Sequence, residues 1–170
     1  GAAGFIGYHL CLNLLKNKFK VLGIDNLNSY YDLKLKKNRI SALKKEKNFK
    51  FVKIDINKKE LKSLLKKNKI NIIINLAAQA GVRYSIKNPK VYFESNIKGF
   101  FNILEMSKDL KIKHLIFAST SSVYGDNKKF PLKEDYNTDI PLSFYAASKK
   151  TNEVMAYSYS NIYKLPITGL

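Results

Sequence analysis

Gly1-Ala-Ala-Gly4-Phe-Ile-Gly7 opens the chain with three glycines, each three residues from the next. A strand that turns tightly into a helix needs this spacing when its backbone must lie flat against a pyrophosphate, because no side chain then intervenes. The N–H groups of the first helical turn, with the partial positive charge at that helix end, supply the anion site. Phe5, Ile6, His9, Leu10, Leu14 and Leu15 keep helical spacing, which predicts a helix from about Phe5 to Asn17. The period then changes: Lys20-Val-Leu-Gly-Ile-Asp25 reads as a short, nearly all-apolar strand buried on both faces of a parallel sheet. Asp25 ends that strand roughly 20 residues beyond the glycines, where a ribose-binding carboxylate belongs. Two hydroxyls can donate to it, and its charge would repel a 2′-phosphate, which favours NAD over NADP. The alternative reading is an acid that caps the following turn.

The same alternation continues along the chain. Asp32 starts a lysine-rich helix carrying Leu33, Leu35, Ile40 and Leu43; Phe49 to Asp55 is a strand ending in a second acid; Leu61, Leu64 and Leu65 mark a helix. Ile70 to Leu76 is the most apolar run and is expected at the centre of the sheet, with the small Ala77, Ala78 and Gly81 behind it. A long helix from Pro89 to about Leu110 contains Asn96, read either as a surface amide or as an inward one that fixes active-site backbone. Lys113 to Ser119 is the next strand, ending in Ser119-Thr120-Ser121-Ser122; a loop with Pro131 and Pro141 leads to Ser143, a good N-cap. Strand–helix alternation of this kind predicts an α/β fold, a doubly wound, Rossmann-like parallel sheet, with residues 1–170 as one dinucleotide-binding domain. The opening turn requires a strand before it, and the residues up to Leu170 read as another strand. The expectation is a chain incomplete at both ends, lacking the first strand and a C-terminal substrate part. In a 3-2-1-4-5-6 sheet that first strand lies between the second and the fourth.

The net charge of +18 comes from 31 basic against 13 acidic residues, yet only Arg39 and Arg83 are arginine. The lysines are spread along helix faces with no aromatic stacking module beside them, so a solvated surface is expected and no nucleic-acid partner. Cys11 is the only cysteine, so no intrachain disulfide can form; it falls among Leu10, Leu12, Leu14 and Leu15 and is read as core. With no signal peptide and no run of about 18 apolar residues, no membrane is expected, and a reducing, cytoplasmic location follows. His9 and His114 have no partner at metal-ligand spacing, and no metal is expected.

Tyr145 and Lys149 stand at i and i+4 on one predicted helix, so they share a face. A free phenol, with a pKa near ~10, is a poor base at neutral pH. A nearby ammonium, with the positive charge of a nicotinamide, stabilises the phenolate and brings it into a working range. Lysine is also long enough to hydrogen-bond a ribose.

These stretches together resemble the extended short-chain dehydrogenase/reductase family, in its branch of NAD-dependent nucleotide-sugar epimerases and dehydratases, and within it the UDP-glucuronate 4-epimerases. The resemblance lies in GAAGFIGYHL at 1–10, GIDNLNSYYD at 23–32, NLAAQAGVRYS at 75–85, NIKGFFNILE at 96–105, STSSVYG at 119–125 and YAASKKTNE at 145–153. It implies Tyr145 as general base toward the sugar 4-hydroxyl, Lys149 as its tuner, and Thr120 on the same oxygen. It implies a cofactor, NAD, lined by Gly1, Gly4, Phe5, Ile6, Gly7, Asp25, Asn26, Asp55, Ile56, Leu76, Ala77, Ala78 and Asn96, besides Tyr145 and Lys149. The implied substrate is a UDP-sugar, and the implied assembly of the full-length protein is a homodimer. In the 4,6-dehydratases the threonine is followed by Asp and Glu; here Ser121 and Ser122 cannot eliminate water, and instead suit a C6 carboxylate, to which Arg83 would add positive charge. Tyr8 stands where relatives carry a small serine. UDP-glucose 4-epimerase, UDP-glucuronate decarboxylase and a non-catalytic NAD-binding module are the competing readings.

Overall fold

The computed structural model describes residues 1–170 and shows an α/β chain that divides into two compact units, 1–69 and 70–170. In the first unit, α1 (Phe5–Lys16) is followed by β1 (Val21–Asp25), α2 (Leu33–Leu43), β2 (Phe49–Lys53) and α3 (Glu60–Lys67). β1 and β2 pair in parallel, Val21 opposite Phe49 through Asp25 opposite Lys53, with α2 as the crossover that a parallel pair requires. The core forms because α1 presents Cys11 and Leu15 four apart and α2 presents Ile40 and Leu43 three apart, each pair on one helical face. Ala2 and Ala3 close it, so Cys11 is core as expected, and burial pushes its thiol up.

Asp32 caps α2 by accepting from the Lys34 N–H at 2.7 Å. The inward face of α2 differs from the expected one. Leu35 is 44% exposed, and Lys36 is buried in its place. Lys36 lies one turn before Ile40 and so shares the core face, whereas Leu35 is rotated off it. Its stem is buried while its ammonium donates to the Asn28 carbonyl at 2.9 Å and to Asn28 Oδ1 at 2.7 Å, above the Tyr31 ring.

The second unit holds a three-stranded parallel sheet of β3 (Ile72–Asn75), β4 (His114–Phe117) and β5 (Ile167–Gly169), in the order β3-β4-β5. Ile72 pairs with His114, and Leu115 with Ile167. β4 lies between β3 and β5, with Leu115 and Phe117 buried, and Ile72 on β3 is 54% exposed.

Four helices complete the unit. α4 (Val82–Lys87) follows the loop after β3, and α5 (Pro89–Tyr92) begins with proline in its first turn. The expected single helix continues from α5 through a π-helical segment, Phe93–Lys98, into α6 (Gly99–Asp109). A 3₁₀ turn (Ser121–Tyr124) follows β4. Ser143 caps α7 (Phe144–Tyr163) by accepting from the Ala146 N–H. No helix is long and apolar enough to cross a membrane.

Candidate active site

The glycine turn sits at the start of the first unit and is held from three directions. A Cβ added to Gly7 would lie 2.0 Å from the Gly1 carbonyl oxygen, so only glycine lets the chain fold back this closely. Gly4 is the N-cap of α1 and offers no side-chain cap, leaving the first-turn N–H groups at Phe5, Ile6 and Gly7 without a side-chain acceptor from that position. The Phe5 and Ile6 side chains are exposed. The Ala3 N–H donates to Asp25 Oδ2 at 3.1 Å, while the Ala3 carbonyl accepts from Arg39 at 3.2 Å. The Ala2 N–H donates to the Ile24 carbonyl at 3.0 Å. α1, β1 and α2 thus fix the turn together, and Arg39 is a contributor that spacing alone did not reveal.

Asp25 is buried; its second oxygen accepts from the Leu27 N–H at 2.8 Å, so it does shape the turn that follows β1, and it keeps further lone pairs beyond these two bonds. Asn26 donates to Asp55 Oδ2 at 2.8 Å across the ends of β1 and β2. Beside this pair lies a cavity of about 450 Å³ lined by Asn26, Lys53, Ile54, Asp55, Lys58 and Glu60. β2 ends at Lys53, so Asp55 lies two residues past the strand and not at its last position; Ile56, its half-buried neighbour, is not among the lining residues.

In the second unit the loop after β3 is clamped by the π-helical segment. The Gln79 N–H donates to Asn96 Oδ1 at 2.7 Å and to Ser95 Oγ at 2.9 Å, and Asn96 Nδ2 donates back to the Gln79 carbonyl at 3.0 Å. Asn96 is 1% exposed, so its amide is the inward, backbone-fixing kind. It also donates to Ser148 Oγ at 3.0 Å, and the Ser148 hydroxyl donates to the Tyr145 carbonyl at 2.7 Å. Asn152 donates to the Asn96 carbonyl at 2.7 Å, and the Tyr92 hydroxyl to those of Ala80 and Gly81. Leu76 and Ala77 at the end of β3 are half-buried and Ala78 is exposed, on a loop whose shape this network sets.

α7 brings Lys149 to the carboxyl end of β4, with Tyr145 one turn before it on the same helix. Tyr145 is half-buried, its ring edge-on to Tyr92 at 6.0 Å between centroids. Lys149 is 4% exposed and donates to the Ala118 carbonyl, immediately after β4, at 2.6 Å. Burial pushes its ammonium down to about 8, against an opposing pull from Glu153. The 3₁₀ turn packs against α7, and Thr120 caps that turn by accepting from the Ser122 N–H at 3.2 Å. Ser121 is exposed, Ser122 half-buried, and Arg83 exposed on α4, a helix that also packs against α7. His9 lies edge-on to Phe5 and Tyr8, and His114 Nε2 is 2.9 Å from Thr168 Oγ1, both structural contacts.

Ser95, Ser148, Asn152 and Tyr92 are not singled out by the sequence. Ser148 carries a usable signal, since three residues after Tyr145 places it on the same helical face.

The family model described as GDP-mannose 4,6 dehydratase matches residues 1–170. The chain is 50% identical over 171 residues to protein CapI of Staphylococcus aureus, covering 100% of this chain and 51% of that protein. It is 49% identical to a UDP-glucuronate 4-epimerase of Thermodesulfobacterium geofontis, covering 99% of this chain and 52% of the relative. It therefore spans about half the length of the curated relatives it matches. Among solved structures, the UDP-glucuronic acid 4-epimerase of Bacillus cereus in complex with UDP-glucuronic acid and NAD superposes with a TM-score of 0.92 at 38% identity, over 99% of this chain and 53% of that one. The UDP-glucose 4-epimerase of Thermus thermophilus in complex with NAD gives 0.87 at 30% identity, over 99% of this chain and 52% of that one. With the glycine turn, the acid-ended strand and the Tyr–Lys helix all in place, this chain belongs to the nucleotide-sugar epimerase and dehydratase branch of the short-chain dehydrogenase/reductase family.

Proposed function

We propose that residues 1–170 are the dinucleotide-binding part of a longer NAD-dependent enzyme that epimerises a UDP-sugar at C4, with UDP-glucuronate as substrate and UDP-galacturonate as product. The observation that carries the reading is Lys149, buried on the Ala118 carbonyl at the carboxyl end of β4, one helical turn from Tyr145. The residues fit the cofactor: Gly7 allows the Gly1 carbonyl to fold tightly against the start of α1, a turn that a Cβ would force open, and Asp25 has lone pairs left for ribose hydroxyls.

NAD, when bound, supplies the reversible oxidation that erases the configuration at the sugar carbon. The chain's own residues do the rest. Tyr145 takes the proton from the sugar 4-hydroxyl and later returns it, with Lys149 one turn along the same helix face. Thr120 hydrogen-bonds the same sugar oxygen. Ser121 and Ser122 bind the C6 carboxylate, with Arg83 adding positive charge; neither serine is an acid or base for dehydration. The full-length protein is a homodimer joined through α6 and α7, which leave Phe101, Val154 and the 78%-exposed Tyr157 outward. The buried, unpaired Cys11 suits a cytoplasmic location.

The test is turnover of UDP-glucuronate by the full-length protein, with products separated by chromatography. UDP-galacturonate is expected. UDP-xylose would make the protein a decarboxylase, and turnover of UDP-glucose alone would move it to the other epimerases. Light scattering that reports a monomer would remove the dimer.

A further inference from the structure

Two consecutive residues just past β4, Ala118 and Ser119, are both held by α7. Lys149 donates to the Ala118 carbonyl at 2.6 Å, and one turn further along the Glu153 carboxylate accepts from the Ser119 hydroxyl. The Ser119 N–H donates to the Leu170 carbonyl at 2.6 Å, so backbone and side chain of this residue are fixed by different partners. We propose that Glu153 is a positioning residue for Lys149: it pins the strand end that receives the ammonium and gives that ammonium its counter-charge.

The surrounding charges leave this task to Glu153. On α7 itself, Lys150 is turned to Thr138 and Asp139. On the elements packed against α7, Glu94 pairs with Lys98 and Glu105 with Lys108, the Tyr92 hydroxyl is given to loop carbonyls, and Arg83 is exposed. Glu153 is the carboxylate that opposes the effect of burial on Lys149. A buried ammonium with one carbonyl acceptor is poorly solvated, and a carboxylate in the same low-dielectric region keeps its charged form populated. The importance of Glu153 for turnover rests on the epimerase reading; its electrostatic hold on Lys149 does not.

The experiment titrates Lys149 directly, by ¹³Cε-lysine NMR of the full-length protein, with its resonance identified by loss in Lys149→Arg. Glu153→Gln keeps an acceptor for Ser119 and removes the charge; the Lys149 midpoint is expected to fall by about one pH unit. Ser119→Ala removes the hydrogen bond and keeps the charge, and the midpoint is expected to move less. Glu153→Asp, a second route if the glutamine variant does not fold, is expected to fall between wild type and glutamine. A midpoint unmoved in both Glu153 variants, or moved as far in Ser119→Ala, overturns the proposal. The alkaline limb of kcat/KM is expected to follow the NMR midpoint. A full-length protein whose Lys149 titrates as described but which turns over no UDP-sugar would refute the proposed function and leave the coupling standing.

Discussion

The Asn96 side chain closes a two-bond ring on the Gln79 backbone, accepting from its N–H at 2.7 Å and donating to its carbonyl at 3.0 Å. Ser95 also accepts from that N–H, so the carbonyl and the Ser148 hydroxyl depend most on the amide. Asn96→Ala in the full-length protein is expected to cost about 2 kcal/mol of unfolding free energy, because buried polar groups lose their partners. Urea denaturation measures this. A change under about 0.5 kcal/mol, the usual range of surface substitutions, would mean the ring is not holding the loop.

Tyr145→Phe removes the hydroxyl and keeps the ring against Tyr92. Turnover of the full-length enzyme is expected to drop by about 10²–10⁴-fold, the usual worth of general acid–base catalysis, with NAD affinity within a fewfold of wild type. Steady-state kinetics and calorimetric titration with NAD separate the two. Retained turnover would favour a module that binds NAD without needing this phenol.

Gly7→Ala places a methyl group 2.0 Å from the Gly1 carbonyl oxygen, a backbone atom that cannot swing away. The turn must open. NAD affinity of the full-length protein is expected to fall at least about tenfold, a loss of about 1.4 kcal/mol in binding. Calorimetric titration reports the outcome, and unchanged affinity would show that the turn does not carry the pyrophosphate.

Lys149 also predicts a pH dependence of stability. Its folded midpoint of about 8 lies below the ordinary lysine value of 10.5, so between those values the unfolded chain binds more protons than the folded one. Stability from this group therefore rises with pH across that window, and the penalty of burying the charge is complete below it. Lys149→Met lacks this titration. Its stability relative to wild type is expected to be greater at pH 7.5 than at pH 9.5 by about 1 kcal/mol or more, as measured by urea denaturation at both values. An equal difference at the two pH values would place the Lys149 titration outside the window.

Much of the framework was legible because it depends on local rules. Glycine spacing, the acid after β1, the caps at Asp32 and Ser143 and the i, i+4 pair on α7 are each set within a few residues. What escaped reading depends on which side a helix turns inward. Lys36 looks like one more surface lysine on α2, and its burial is decided by Asn28 and Tyr31, residues outside the helix itself. Arg39 and Asn152 escape for the same reason: their partners lie on other elements.

The wide turn at Phe93–Lys98 has a consequence for any change in chain length there. It lets two successive side chains, Ser95 and Asn96, converge on a single amide, and it leads into the helix from which Phe100, Ile103 and Leu104 enter the interior. Deleting one residue to restore ordinary winding would leave the downstream helix in nearly the same phase, because six residues at about 4.4 per turn sweep roughly the angle of five at 3.6; it would withdraw the loop clasp and spare the aromatic anchor. The extra residue serves the grip and not the core, so a shortened variant is expected to keep its packed interior and lose the hold on the loop after β3.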